Sequence, residues 1–425
     1  MAGKKKGRII SPRATRREEK PTAIASVVSG FPMIKNVGLR QVYVADTLIC
    51  HIDGTHGKLI YRGYSIETLA EHSTFEETAF LLLNGRLPLA DELALFKEQL
   101  ARERWLPQAI HEAAKKLPPS TLPMDVLQSA VPILAGFDQE AADTTRDASV
   151  RKAIRLIAKA ATVVASWARR REGNEAIPPR EDLSHAANFL YMLTGRVPDP
   201  EVARAFDVNL ILQAEHQFNA STFTCRVVAS TRAHMYSCIA AGMGALSGAL
   251  HGGASNEVMK MLKEVGTADR ADEYIRSRLD AGERIMGMGH AVYRTHDPRA
   301  LILKEMSAKL AHLAGDGKWF ELSNALEKAA SRELLKRGKH GIYPNVDFYT
   351  AVVNTAMGIP EDLHTPVFTM SRIAGWAAHI IEERFAEAQP KPALYRPLAH
   401  YIGPGNAIKS LPYIPIEKRV KPRES

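Results

Sequence analysis

Beyond the first forty residues, hydrophobic positions recur with helical spacing and the chain reads as helix after helix. Asp199-Pro200 offers an N-cap followed by proline at the first helical position, ahead of Val202, Phe206 and Leu210 on one face. Ser184 to Gly195 predicts another helix, with Leu190, Tyr191 and Leu193 inside it. Ser73-Thr74-Phe75-Glu76 has the form of a capping box. In it Ser73 would accept from the Glu76 backbone N–H while the Glu76 carboxylate accepts from the Ser73 N–H, and Asn84-Gly85 supplies the stop. Breaks are expected near Gly136-Phe137-Asp138, Gly173-Asn174 and Gly315-Asp316-Gly317, and no fixed-period repeat appears. One segment departs from this pattern. Leu48 to Ile52 and Lys58 to Arg62 flank Asp53-Gly54-Thr55-His56-Gly57, which predicts a small peripheral β-hairpin. The fold class expected is mainly α.

Ala233 to Gly253 predicts a helix of small residues, among them Ala240, Ala241, Gly242, Gly244, Ala245, Ser247, Gly248 and Ala249. Each helical glycine costs roughly 1 kcal/mol relative to alanine. The expected compensation is close backbone approach to another helix, within the chain or between subunits. Gly242-Met243-Gly244 is not a dinucleotide loop, because the spacing to Gly248 is wrong and no strand precedes it.

A length of 425 residues predicts one large or two unequal domains, and 45% hydrophobic with 24% charged residues excludes a disordered chain. Three cysteines, Cys50, Cys225 and Cys238, form no paired framework, so a reducing, cytoplasmic setting is expected. The most apolar stretch, Met235 to Leu250, is too short to span a bilayer. The net charge of +9 is carried by the ends: residues 1–20 contribute +6, residues 417–425 contribute +2, and the body only +1. The tails read as solvated ends, and no nucleic-acid docking face is indicated. The N-terminal stretch lacks an apolar core of the secretory kind, and its two glutamates argue against a transit peptide.

Three segments combine glycine with ionisable groups: His251-Gly252-Gly253, Gly287-Met288-Gly289-His290, and Tyr343-Pro344-Asn345-Val346-Asp347. Taken singly, each histidine reads as well as a structural residue, and the aspartate as a cap. No HExxH, cysteine pair or suitably spaced histidines support a metal, and no GxSxG elbow supports a serine nucleophile. Together the segments suit removal of a proton next to a carbonyl and attack of the carbanion on a second carbonyl. That chemistry needs a carboxylate base, a donor to the enolate oxygen and a donor to the acceptor carbonyl. A dicarboxylate acceptor would be clamped by guanidinium forks, for which Arg299, Arg372 and Arg396 are available.

The runs Leu250-His251-Gly252-Gly253-Ala254, Met286 to Arg294, Asp297-Pro298-Arg299 and Tyr343 to Tyr349, in that order, resemble the citrate synthase family. Asn219-Ala220-Ser221-Thr222, Met357-Gly358-Ile359-Pro360, Tyr395-Arg396-Pro397, Ile52-Asp53-Gly54 and Tyr61-Arg62-Gly63-Tyr64 extend the likeness to residues 38–405. The resemblance implies condensation of acetyl-CoA with oxaloacetate and hydrolysis of citryl-CoA, the entry to the tricarboxylic acid cycle, with no cofactor because acetyl-CoA is a substrate. It casts Asp347 as the base, His251 as the donor to the enolate and His290 as the donor to the keto group. His216, Asn219, Arg299 and Arg372 would hold oxaloacetate, Arg294 the CoA phosphates, and Arg396 would be delivered across a homodimer interface. It also implies a large helical domain (residues 38–252 and 358–425) bearing the dimer contact, a small helical domain (253–357) on the CoA side that closes over the cleft, and a basic tail (1–37).

Two positions depart from the family pattern: Ser255 stands where asparagine is frequent, and Gln217 where glutamate is. The closest rival is 2-methylcitrate synthase, which takes propionyl-CoA; one methylene is worth about 1–3 kcal/mol in a pocket. A rival of another class is a non-enzymatic helical binding protein using its basic tails, which predicts steeply salt-dependent association.

Overall fold

The computed structural model describes residues 37–39, 41–402 and 411–419. The basic N-terminal tail, apart from Val37, and the last six residues of the basic C-terminal end lie outside the described residues. Residues 1–46 and 47–425 are two compact units. In the first, the described part is one 3₁₀ turn, Val37–Leu39, and an irregular stretch to Asp46.

The second unit opens with the expected hairpin. Strands β1 (Cys50–Asp53) and β2 (Lys58–Tyr61) pair antiparallel, with Cys50 opposite Tyr61 and Asp53 opposite Lys58. The Asp53 carboxylate shapes the turn by accepting from the Thr55 and His56 N–H groups, each at 3.0 Å. A third strand, β3 (Tyr64–Ser65), pairs with the other edge of β2.

Sixteen α-helices follow among the described residues. The first ten are α1 (Ile66–His72), α2 (Phe75–Asn84), α3 (Ala90–Arg102), α4 (Gln108–Lys115), α5 (Pro123–Ala135), α6 (Arg146–Arg170), α7 (His185–Thr194), α8 (Pro200–Gln213), α9 (Ala220–Ser230) and α10 (Met235–Leu246). Then come α11 (Ala254–Val265), α12 (Ala271–Asp280), α13 (Pro298–Ala314), α14 (Lys318–Lys336), α15 (Val346–Ala356) and α16 (His364–Phe385). Asp199 caps α8 and Ser184 caps α7 as expected, and Gly85 and Gly195 end α2 and α7 in the left-handed conformation.

Two local expectations are corrected. The N-cap of α2 is Thr74, whose hydroxyl accepts from Glu77 N–H. Glu76 is turned instead toward the His185 N–H, at 2.8 Å, so its carboxylate serves a distant helix start rather than its own. The small-residue helix also stops early, at Leu246. From Ser247 to Gly253 the chain turns back on itself, so closely that a side chain at Gly252 would overlap the Leu246 carbonyl and stand 3.0 Å from the Thr365 methyl.

The glycines of α10 have the expected use. A β-carbon at Gly242 would collide with the Cys225 sulfur on α9 and press on Trp376 of α16 at 3.4 Å, and one at Gly244 would meet Gln128 of α5 at 2.8 Å. These contacts join helices of one chain.

Helix α16 is the axis of the core. Every residue from His364 to Glu383 is buried except Phe368, and the helix packs against α2, α5, α6, α8, α9, α10 and α11. Such all-round burial fits its run of Ile373, Trp376, Ile380 and Ile381, each worth roughly 1.5–3 kcal/mol when removed from water. Its buried charges are paired: Arg226 of α9 binds Glu382 at 2.7 Å and Glu383 at 2.6 Å, while His379 bridges Arg226 and Glu215 at 3.0 Å each. Helices α11 to α15 pack chiefly on one another, with α15 against α11, α13 and α14.

Candidate active site

A cleft of about 370 Å³ lies where the ends of α8, α10, α13 and α15 meet α16. Seven of the nine candidates from the sequence line it: His216, Asn219, His251, His290, Arg299, Asp347 and Arg372.

Asp347 is the second residue of α15. Asn345, the N-cap, accepts the Asp347 N–H at 3.0 Å and so fixes where the carboxylate starts. Burial pushes the carboxyl up to about 6, with Asp297 adding in the same direction and Arg299 and Arg372 opposing. A carboxylate so raised is a stronger base than one in water.

The two histidines are held as neutral donors by backbone hydrogen bonds. His251 Nε2 accepts the Ser221 N–H at 3.2 Å and lies 2.8 Å from the Ser221 hydroxyl, so the proton of the neutral ring sits on Nδ1. His290 Nδ1 accepts the Val292 and Tyr293 N–H groups at 3.0 and 3.2 Å, which leaves the proton on Nε2. Burial drives both rings down to about 4, with Arg372 adding to the shift at His251 and Arg299 at His290. Both are uncharged at neutral pH.

The loop that carries His290 is stitched to the start of α15. Gly289 N–H donates to the Tyr343 carbonyl at 2.8 Å, Asn345 N–H to Gly287 at 2.9 Å, and the Asn345 amide to the Gly289 carbonyl at 2.9 Å. Gly287 and Gly289 both take positive φ, at +73° and +86°, which explains glycine on either side of Met288. One hydrogen-bonded patch thus sets His290 and Asp347 together.

The basic groups are arranged for a carboxylate guest. Arg299, the second residue of α13, is gripped along one edge by Asp297 (Nε to Oδ1 3.0 Å, Nη2 to Oδ2 2.7 Å), leaving its other edge to serve the cleft. Asp297 also caps α13 and accepts Val346 N–H at 3.2 Å, which ties α13 to α15. Arg372 donates through Nε to the Gln213 carbonyl at 2.7 Å and lies over the Phe368 ring at 4.6 Å. Its Nη2 is buried with no hydrogen-bond partner among the described residues, a costly state that an anionic ligand would relieve. His216 is buried, driven well below its ordinary value by burial and by the nearby Arg299, and packs edge-on against His290 with ring centres 5.2 Å apart.

Asn219 lines the cleft while its Oδ1 caps α9, accepting from Thr222 N–H at 3.0 Å and lying 2.8 Å from the Ser221 hydroxyl oxygen. Arg294 lies outside the cleft lining, exposed, with Nη1 on the His290 carbonyl at 3.2 Å. Arg396 also lies outside it, exposed in the irregular segment after α16. Of the two departures from the family pattern, Gln217 lines the cleft and Ser255 bonds to His364 at 3.1 Å away from it.

Sequence reasoning gave no role to Asp297, Ser221, Tyr293 or Phe368. Only Asp297 carried a signal, as a cap two residues ahead of a candidate arginine. Among the described residues, no cluster of three or more histidine, cysteine, aspartate or glutamate side chains is placed to hold a metal ion. No helix among them is long and apolar enough to cross a membrane.

Comparison with known proteins gives a consistent answer. The family model described as citrate synthase, C-terminal domain, matches residues 38–398. A citrate synthase of Haloferax volcanii is 42% identical over 90% of this chain and 98% of its own, and citrate synthase 2 of Bacillus subtilis is 45% identical over 85% and 93%. A 2-methylcitrate synthase of Shewanella oneidensis is 37% identical over 88% and 97%. The crystal structure of citrate synthase from Pyrobaculum aerophilum superposes with a TM-score of 0.84 at 39% identity, covering 94% of this chain and 98% of that one. One from Thermoplasma acidophilum, in ternary complex with carboxymethyl coenzyme A and oxaloacetate, superposes with a TM-score of 0.81 at 31% identity, covering 90% and 98%. The chain is an acyltransferase of mainly helical build. It belongs to the citrate synthase family.

Proposed function

We propose that the protein condenses acetyl-CoA with oxaloacetate and hydrolyses the resulting citryl-CoA to citrate and CoA. The observation that carries this is one cleft holding a buried carboxylate raised to about 6, two neutral histidines with fixed tautomers, and a buried arginine with an unfilled donor. Oxaloacetate binds with its carboxylates on Arg299, Arg372 and His216. Asp347 takes a proton from the acetyl methyl, and the enolate oxygen is held by the Nδ1–H of His251. The new carbanion attacks the keto carbon while His290 Nε2–H donates to the keto oxygen and supplies its proton. Water then cleaves the thioester and releases CoA. Acetyl-CoA is consumed as a substrate, and no further cofactor is called for.

Residues 253–357 form the moving part that carries His290, Arg294, Arg299 and Asp347, and it closes once oxaloacetate is bound. A scattering profile unchanged by saturating oxaloacetate would contradict this. The working unit is a homodimer in the cytoplasm, with Arg396 serving the partner's cleft. In support, Leu394, Leu398, Tyr401, Ile402, Leu411 and Tyr413 on the irregular C-terminal stretch are all exposed, an apolar surface suited to a second copy.

The test is release of free thiol from acetyl-CoA in the presence of oxaloacetate. The 37% identity to a 2-methylcitrate synthase supports a second reading, use of propionyl-CoA. The same assay with each acyl-CoA in turn decides between them by relative kcat/KM.

A further inference from the structure

The β1–β2 turn is not part of the cleft chemistry, yet it touches the loop that carries His290. The Arg294 N–H donates to the Gly54 carbonyl at 2.8 Å. A β-carbon at Gly54 would overlap the Val292 carbonyl oxygen, stand 2.8 Å from its carbon and 3.1 Å from the Val292 side chain. Across the same turn, a β-carbon at Gly57 would stand 2.8 Å from the His296 carbonyl oxygen and 2.9 Å from the Thr295 methyl. Both glycines of the turn are thus positions where the loop passes too close for any side chain.

Val292 and Tyr293 are the residues whose N–H groups fix the His290 ring. We propose that Gly54 is a positioning residue for His290: the bare turn seats Val292 and, through it, aims the Nε2–H at the acceptor carbonyl. This rests on His290 being the keto donor. Asp347 is tied to the same loop from the other side, through Gly287, Gly289 and Asn345, and His251 is set by Ser221. The links to Asp347 leave the loop ahead of His290, at Gly287 and Gly289, whereas the turn meets it after His290, at Val292, so crowding at Gly54 falls on the His290 ring more than on Asp347 and leaves His251 in place.

The test separates the two halves of the reaction in the full-length protein. Condensation is followed by thiol release with oxaloacetate and acetyl-CoA. Proton removal is followed alone, by exchange of the acetyl-CoA methyl hydrogens in heavy water with malate in place of oxaloacetate, since malate offers the carboxylates but no keto carbon. In Gly54→Ala, kcat for thiol release should fall about 10²-fold, the scale of an ångström-sized misplacement. Methyl exchange should fall far less, to within about threefold of wild type, because the base is on the far side of His290 from the crowded contact. Equal loss of both activities, or loss of neither, overturns the proposal.

If Gly54→Ala does not fold, Asp53→Ala decides. It removes the acceptor for Thr55 and His56 N–H from an exposed turn without adding bulk, and should give the same unequal loss at about tenfold. Equal loss there overturns the proposal as well. Wild-type protein that releases no thiol overturns the functional reading together with the role given to Gly54. Wild-type turnover with an insensitive Gly54→Ala overturns the positioning role alone.

Discussion

Asp297→Asn isolates what holds Arg299 in place. The asparagine keeps the shape of the side chain and one oxygen for the α13 cap, but it turns an amide toward the Arg299 Nη2 that Asp297 accepts at 2.7 Å. Both groups are buried, at 2% exposure or less, so the change leaves a guanidinium without its counter-charge. Breaking such a pair costs about 3–5 kcal/mol, of which the retained hydrogen bonds recover part. A net loss near 3 kcal/mol, with an unfolding entropy of roughly 2 cal/mol/K per residue, lowers Tm by about 3–4 °C in a chain of 425 residues. The catalytic effect should be larger. An unanchored fork misplaces the oxaloacetate carboxylate, and kcat/KM for oxaloacetate should fall on the order of 10²-fold while KM for acetyl-CoA changes little. The assay is steady-state thiol release with each substrate varied, alongside a melt with and without oxaloacetate. Oxaloacetate should raise the Tm of the variant less than that of wild type, because a fork without its anchor holds the carboxylate more weakly. Wild-type kcat/KM for oxaloacetate in the variant would refute the reasoning.

Other outcomes follow from the same geometry. The acid limb of kcat/KM should fall near pH 6, where Asp347 takes up its proton, with no further limb until about pH 4, where His251 and His290 charge. A limb at pH 6.5 that disappears in a histidine variant would contradict the assignment. Arg372→Lys should cost about 1.5–3 kcal/mol, or roughly 10–150-fold, in kcat/KM for oxaloacetate, since an ammonium cannot fill the positions of both Nε on Gln213 and the unfilled Nη2. Asp347→Asn should also stabilise the fold at neutral pH. Burial raises the carboxyl from 3.8 to about 6, so its favourable contribution is complete below about pH 4 and is lost as pH rises through 6. Two units correspond to about 3 kcal/mol, which the neutral amide avoids and a pH-resolved denaturant titration would detect.

Much of this was legible along the chain because it is local. Asp199-Pro200, Ser184 with Gly195, and Asn84-Gly85 carry their capping chemistry within a few residues, and each appears as a helix end where expected. The hairpin was legible for the same reason, while β3, two residues long, was not. What escaped depends on partners far along the chain. Glu76 leaves its expected capping box for His185, 109 residues away. The turn that follows α10 is held by Thr365, which donates to the Gly252 carbonyl at 2.8 Å. Ser221 fixes the His251 tautomer across thirty residues, and only the folded chain brings them together. The catalytic candidates were visible through their motifs, but their protonation states were not, since those come from burial and from backbone donors supplied by the fold.

Everything proposed for the cleft depends on Asp347 acting as the base that turns an acetyl methyl into a nucleophile. The most direct measurement is thiol release by Asp347→Asn with acetyl-CoA and saturating oxaloacetate, together with the rise in Tm that oxaloacetate produces. Turnover should fall by about 10²–10⁴-fold with the oxaloacetate-induced rise in Tm preserved. Turnover equal to wild type in a folded variant that still binds oxaloacetate would contradict it.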